Sequence, residues 1–319
     1  MIFRYLTYRY GCRVFYRQIL KHTFHKTITT PSGVLMTNSY TFSVLGGDRR
    51  MLYAAELLAA TGFRVLCFGL SAKPNDKILI CDTLSDALRA DFILLPIPMS
   101  KDGKTLFAPM LESSVDIGTI LEKAPLHATI FGGQTQAFFD PRLHDYGARS
   151  DFATLNAVPT AEGALLLALA HLPCTISAAE IGIVGFGKVG KAVASLFHAA
   201  GAKVTVFARR SEVCSVASLL GYRSAPITKL PEHAGELRAL INTAPAPVIG
   251  EDTLSQMRRD ALILELASAP YGVNFDRARA HGIQTILAGG LPGKYAPEAA
   301  GISICKTVLT MLCESGIPI

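Results

Sequence analysis

The sequence predicts an α/β protein of two parallel-sheet domains with a cleft between them. Three observations carry this reading. From residue 40 onward short β-rich runs alternate with helical stretches. Residues 180–184 read as a strand that runs straight into Gly185-Phe186-Gly187-Lys188-Val189-Gly190 and then into an amphipathic helix. The chain has 319 residues, half of them hydrophobic and 18% charged, which suffices for two cores and excludes disorder as the main state.

Residues 1–35 contain Arg4, Arg9, Arg13, Arg17, Lys21 and Lys26 and no acid, so the whole formal excess of +6 lies there. The remainder sums to zero, which excludes a basic nucleic-acid-binding body. From Arg9 to Lys21 the cations recur every four residues, which in a helix would make one basic stripe beside Tyr5, Tyr8, Phe15 and Tyr16. Residues 27–34 read as a linker, however, and Met36 stands just before the first strand pattern. The segment is therefore expected to be a dispensable extension, with a membrane-surface or nucleic-acid arm as the competing reading.

Residues 36–155 form the expected substrate domain, with strands at 41–46, 64–69, 91–95 and 129–131 and a helix from Arg49 to Ala60 that stops at Gly62. The expected nucleotide domain spans 156–296. It opens with a helix from about Thr160, its N-cap, to Leu172. Strand 180–184, helix 188–200, strand 203–208, helix 211–220 and strands 238–242, 261–266 and 283–287 follow. A last helix, Pro297 to Ser315 within 297–319, is expected to pack back toward the first domain. The longest apolar uncharged stretch, Gly163 to Ala179, is broken by His171 and Pro173 and is shorter than the roughly 20 residues of a bilayer span, so no membrane span is expected. Seven cysteines with no C-x-x-C pair point to reduced thiols, and no Cys/His spacing suits a metal.

The glycine loop carries the chemistry. Gly185 permits the tight turn, Gly187 lets a pyrophosphate approach the backbone, and Gly190 allows close helix-to-strand packing, with the helix amides of Lys188 and Val189 facing the phosphates. This is the Rossmann fingerprint in its full context of strand, helix and second strand. Where NAD-binding proteins place an acid for the ribose 2′-hydroxyl, the strand 203–208 ends in Ala208-Arg209-Arg210-Ser211, which suits the 2′-phosphate of NADP. Asn242, Thr243, Ala244 and Pro245 after one strand, and Ala267 and Ser268 after the next, are expected to line the ribose and nicotinamide.

Taken in order, Gly46-Gly47-Asp48-Arg49, Asn156 through Gly163, the GFGKVG loop with Ala208-Arg209, Ile241-Asn242-Thr243, Leu266-Ala267-Ser268, and Gly290-Leu291-Pro292-Gly293-Lys294 before Ala296-Pro297 resemble one family. From about Ser43 to its C-terminus the chain resembles the A-subunit of dipicolinate synthase, the sporulation enzyme of endospore-forming bacteria. It departs from that pattern at Ala269-Pro270-Tyr271-Gly272, which lacks a basic residue and paired glycines. The resemblance implies an architecture like that of the formate and glycerate dehydrogenases. It also implies NADP-dependent oxidation of dihydrodipicolinate to dipicolinate together with the flavoprotein-like B-subunit of dipicolinate synthase, in the cytoplasm of the mother cell.

Such a dicarboxylate needs cations or oriented amides, and the suppliers expected on this reading are Arg49, the amides of Gly46 and Gly47, and Pro292, Gly293 and Lys294 in a glycine-rich loop. Thr160 and Glu162, on the helix facing the cleft, are candidates to position the ring or a proton. Two other readings stay open. A 2-hydroxy-acid dehydrogenase would need a general base, usually histidine, which the loop 289–293 lacks, while His281 reads as a helix end. A non-catalytic NADP sensor would use the same nucleotide loop without turnover.

Overall fold

The computed structural model describes residues 40–317, so the basic segment 1–35 and its expected arm lie outside the described residues. Two six-stranded sheets, parallel throughout, organise the rest. The first contains β1 (Thr41–Leu45), β2 (Arg64–Phe68), β3 (Ile78–Ile80), β4 (Phe92–Leu94), β5 (Thr129–Gly132) and β6 (Leu143–Asp145) in the order β3-β2-β1-β4-β5-β6. Helices α1 (Arg49–Ala60), α2 (Leu84–Ala87) and α3 (Ile117–Lys123) connect them. Central strands are buried on both faces, as crossover helices require, which is why Phe42, Val44, Val65 and Ile93 read as continuous apolar runs.

The second sheet contains β7 (Glu180–Val184), β8 (Lys203–Ala208), β9 (Arg223–Pro226), β10 (Ala239–Asn242), β11 (Leu262–Glu265) and β12 (Gln284–Leu287) in the order β12-β11-β10-β7-β8-β9. Its helices are α5 (Lys188–Ala199), α6 (Ser211–Leu219), α7 (Leu230–Ala234), α8 (Glu251–Gln256) and α9 (Phe275–Ala280). Strand order reverses between β1 and β4 in one sheet and between β7 and β10 in the other. In open α/β folds ligands bind outside the carboxyl ends of the strands at such switch points. The edge strands β3, β6 and β9 escaped the sequence reading because they have only three or four residues with mostly exposed or half-exposed side chains, so no apolar period marks them.

Three further helices lie between or beside the sheets: α4 (Ser150–His171), α10 (Leu291–Tyr295) and α11 (Pro297–Glu314). The expected start of a helix at Thr160 is wrong. Helix α4 begins ten residues earlier and carries Pro159 in its interior, and the Thr160 hydroxyl donates to the carbonyl of Asn156 at 2.7 Å instead of capping. A mid-helix proline forfeits one backbone hydrogen bond. Here burial of Phe152, Ala157, Pro159, Ala161, Ala164, Leu165 and Ala168 on a helix apolar nearly all round outweighs that loss. By length and composition α4 could also cross a membrane, but its buried face packs with Ile181, Val193 and Phe197 in the core around the second sheet.

Helix α11 lies against α1. Gly301 makes the approach possible, since a Cβ there would run into the Arg50 carbonyl and sit 2.8 Å from the Tyr53 Cβ. The last helix thereby belongs to the layer covering the first sheet, and Ile304, Cys305, Val308 and Leu312 are its buried stripe.

Candidate functional site

At the carboxyl edge of the second sheet, Gly185 turns the chain at φ +87°, its amide donating to the Phe207 carbonyl at 2.9 Å. Helix α5 starts at once, and Gly190 packs directly on the turn, where a Cβ would meet the Gly185 carbonyl oxygen and lie 3.0 Å from its carbon. A Cβ at Gly187 would meet nothing within 4 Å. The space over the helix N-terminus is thus clear for a pyrophosphate, whose charge the amides and the helix dipole favour. Phe186 turns inward, its ring 5.9 Å from that of Tyr222, and so supports the loop from within. Val189 packs on the same core, which leaves Lys188 and Lys191 as the exposed side chains of the first helical turn.

The two arginines at the end of β8 separate. Both are exposed, but Arg210 pairs with Glu212 at 2.9 Å, whereas the Arg209 side chain has no partner among the described residues. Ala208 is buried beneath them and exposed Ser211 opens α6. Past the switch point, the Thr243 hydroxyl donates to the Val184 carbonyl at 2.8 Å and buttresses the glycine turn from below. Asn242 was expected to line the ligand. It is fully buried, with Nδ2 donating to the Ala244 carbonyl at 2.9 Å and to Glu265 at 2.6 Å, and Oδ1 accepting from the Ala244 amide at 3.1 Å. It shapes the loop through Ala244 and exposed Pro245 instead of facing solvent. Ala267 donates its amide to Glu265, and Ser268 is exposed beyond it.

At the carboxyl edge of the first sheet the expected amide donors are already spent. The Gly46 amide donates to the Phe68 carbonyl at 2.8 Å and that of Gly47 to the Phe107 carbonyl at 2.7 Å, because both glycines adopt positive φ to return the chain into α1. Neither amide is left for a carboxylate. Arg49 is exposed, and among the described residues its side chain makes only a long 3.5 Å contact, to the Tyr53 hydroxyl, which leaves it able to meet an anion. Arg50 is instead held by both Asp48 oxygens, at 2.8 and 2.9 Å, and by the Ile97 carbonyl at 2.6 Å.

Pro292, Gly293 and Lys294 lie in a short helix, α10, not in a loop. Pro at its second position and Gly290 at φ +67° before it start the helix where a glycine-rich loop was expected. Gly293 lies against the Arg50 guanidinium, 3.0 Å from Nε for a Cβ built there, and Lys294 is exposed beside it. Helix α10 follows the carboxyl end of β12, and Arg50 follows that of β1. A segment leaving one carboxyl edge therefore touches a segment leaving the other. Gly163 of α4 packs on Leu291, so exposed Glu162 and half-buried Thr160 sit on the helix that backs α10.

Residues 41–151 match the family of the N-terminal domain of the dipicolinate synthase A-subunit, and residues 147–274 match that of the NAD binding domain of D-isomer specific 2-hydroxyacid dehydrogenases. The chain is 31% identical over 294 residues to the dipicolinate synthase A-subunit of Bacillus subtilis (strain 168), covering 88% of this chain and 98% of that protein. The chain belongs to the dipicolinate synthase A-subunit family. Crystal structures of family members from Bacillus halodurans and Bacillus subtilis superpose with TM-scores of 0.78 and 0.77, each at 28% identity. They cover 87% and 91% of this chain and 99% and 98% of theirs.

As a family member with a dehydrogenase-type nucleotide domain, the chain is assigned to the oxidoreductases that use a nicotinamide cofactor. His281 caps α9 and bonds Glu251 at 2.5 Å, so it is held at a helix end. Two side chains of this family member escaped the sequence reading. Arg50 was overshadowed by its neighbour Arg49, although Asp48 as the N-cap of α1 marks where the chain turns. Glu265 had one signal, an acid closing the otherwise apolar strand Leu-Ile-Leu-Glu. Burial raises the pKa of its carboxyl, against the opposing pull of the Asn242 amide.

Proposed function

We propose that the chain binds NADP along the edge of β7, β8, β10 and β11 and oxidises dihydrodipicolinate to dipicolinate in partnership with the B-subunit of dipicolinate synthase. The observation that carries the cofactor reading is exposed Arg209 after β8, without a partner among the described residues, where an acid would select NAD. Bound there, the nicotinamide would supply the hydride acceptor, and the aromatic pyridine formed by loss of a hydride and a ring proton would supply the driving force. The protein's task is to hold the dicarboxylate flat against the nicotinamide. Arg49 and Lys294, on the two sides of the Arg50–Gly293 contact, are the exposed cations for its two carboxylates.

NADP is expected to bind at least about tenfold more tightly than NAD, because a guanidinium–phosphate contact is a charge-assisted hydrogen bond. Arg209→Ala should abolish most of this preference, and Arg210→Ala should change it less because Glu212 already engages that side chain. Added salt should weaken NADP more than NAD. Titration of both cofactors checks this, and equal affinities in the wild-type chain refute it.

Freshly generated dihydrodipicolinate, supplied with NADP with and without the B-subunit, tests the activity. Dipicolinate should form with both proteins and little with the chain alone. Arg49→Ala and Lys294→Ala should each raise the KM about tenfold or more while NADP affinity holds, since each removes one counter-charge from a carboxylate. Arg50→Ala should behave differently, lowering the melting temperature because Asp48 and the Ile97 carbonyl lose their donor. Wild-type kinetics in both Arg49→Ala and Lys294→Ala would place the anchors elsewhere.

A further inference from the structure

Glu265 is the last residue of β11 and is wholly buried. Its Oε1 accepts from Asn242 Nδ2 at 2.6 Å and from the Ala267 amide at 3.0 Å, and its Oε2 accepts from the Gly272 amide at 2.9 Å. No cation among the described residues pairs with it. Asn242 in turn grips both the amide and the carbonyl of Ala244. Gly272 folds so tightly over this pair that a Cβ there would overlap the Asn242 side-chain amide. A buried carboxyl without a cation is costly unless its oxygens are satisfied, and here each bond ties down a loop at the sheet's carboxyl edge. One side chain therefore sets the spacing between the loop after β10 and the loop after β11.

The phosphates bind over the β7 turn and the adenosine over β8. By the switch-point rule the nicotinamide half lies across β10 and β11, against those two loops. We propose that Glu265 is a positioning residue for the nicotinamide half of the dinucleotide, acting through Asn242, Ala267 and Gly272 without touching the ligand. This rests on the nucleotide reading of the site. The geometry calls for a carboxyl group: N–H donors converge on both of its oxygens, whereas a glutamine would set its own N–H₂ against one of them.

The experiment measures calorimetric affinities of NADPH and of 2′-phospho-ADP, which keeps the 2′-phosphate and lacks the nicotinamide half, for the full chain and for Glu265→Gln. NADPH should weaken about tenfold and 2′-phospho-ADP by less than about twofold, because only the nicotinamide-side loops shift. Asn242→Ser leaves the carboxyl its backbone donors, and it should show the same split even if Glu265→Gln fails to fold. Unchanged NADPH affinity in the folded variants overturns the proposal, as does an equal loss of both ligands, which would mean general damage to the domain. Wild-type protein that binds neither ligand overturns the nucleotide reading, and the proposal falls with it.

Discussion

Replacing Gly190 with alanine is expected to weaken dinucleotide binding at least about a hundredfold. The added methyl would meet the carbonyl oxygen of Gly185 and, at 3.1 Å, the hydroxyl of Thr243. Neither neighbour can give way easily. The Gly185 carbonyl belongs to a turn at φ +87° whose amide donates a hydrogen bond to the Phe207 carbonyl, and Thr243 is locked to the Val184 carbonyl through both its amide and its hydroxyl. The helix must lift, and its first amides leave the phosphates. Losing two hydrogen bonds to a charged group, at about 1.5–3 kcal/mol each, corresponds to that hundredfold or more. Calorimetric titration with NADPH and NADH checks it. Circular dichroism should stay near wild type, because the helix survives its displacement.

The second large effect is on stability. Gly301→Ala sits within α11, where an alanine ordinarily gains about 1 kcal/mol over glycine. Here the sign should reverse. The new Cβ would collide with the Arg50 carbonyl and stand 2.8 Å from the Tyr53 Cβ and 3.1 Å from the Ala54 amide nitrogen, all on α1. Backbone atoms cannot rotate aside as a side chain would, so α11 must move outward and loosen the stripe of Ile304, Cys305, Val308 and Leu312. Overpacking of this kind costs typically about 1–3 kcal/mol, occasionally more. Set against the propensity gain, a net loss of up to about 2 kcal/mol should lower the melting temperature by up to about 3–4 °C in a chain of this size. Differential scanning fluorimetry measures it directly, and a rise in melting temperature would show that propensity wins over the clash.

The α/β class, the central strands and the nucleotide loop were legible in residue order alone, because these rest on local patterns. Apolar runs bounded by turn residues mark strands buried on both faces, and the spacing of Gly185, Gly187 and Gly190 is a property of consecutive residues. Residue order also placed two arginines after β8, without showing that Arg210 pairs with Glu212 while Arg209 has no partner among the described residues.

Packing in three dimensions settled the points that depend on partners distant in the chain. The Gly46 and Gly47 amides are consumed by carbonyls of Phe68 and Phe107, and Thr160 lies inside a helix that packing carries through Pro159. Arg50 meets Gly293 more than 200 residues away, and Asn242 and Glu265 meet across neighbouring strands. In each case the side chain or amide is defined by what it bonds, and a hydrogen bond between remote segments leaves no period or spacing in the sequence for a local pattern to read.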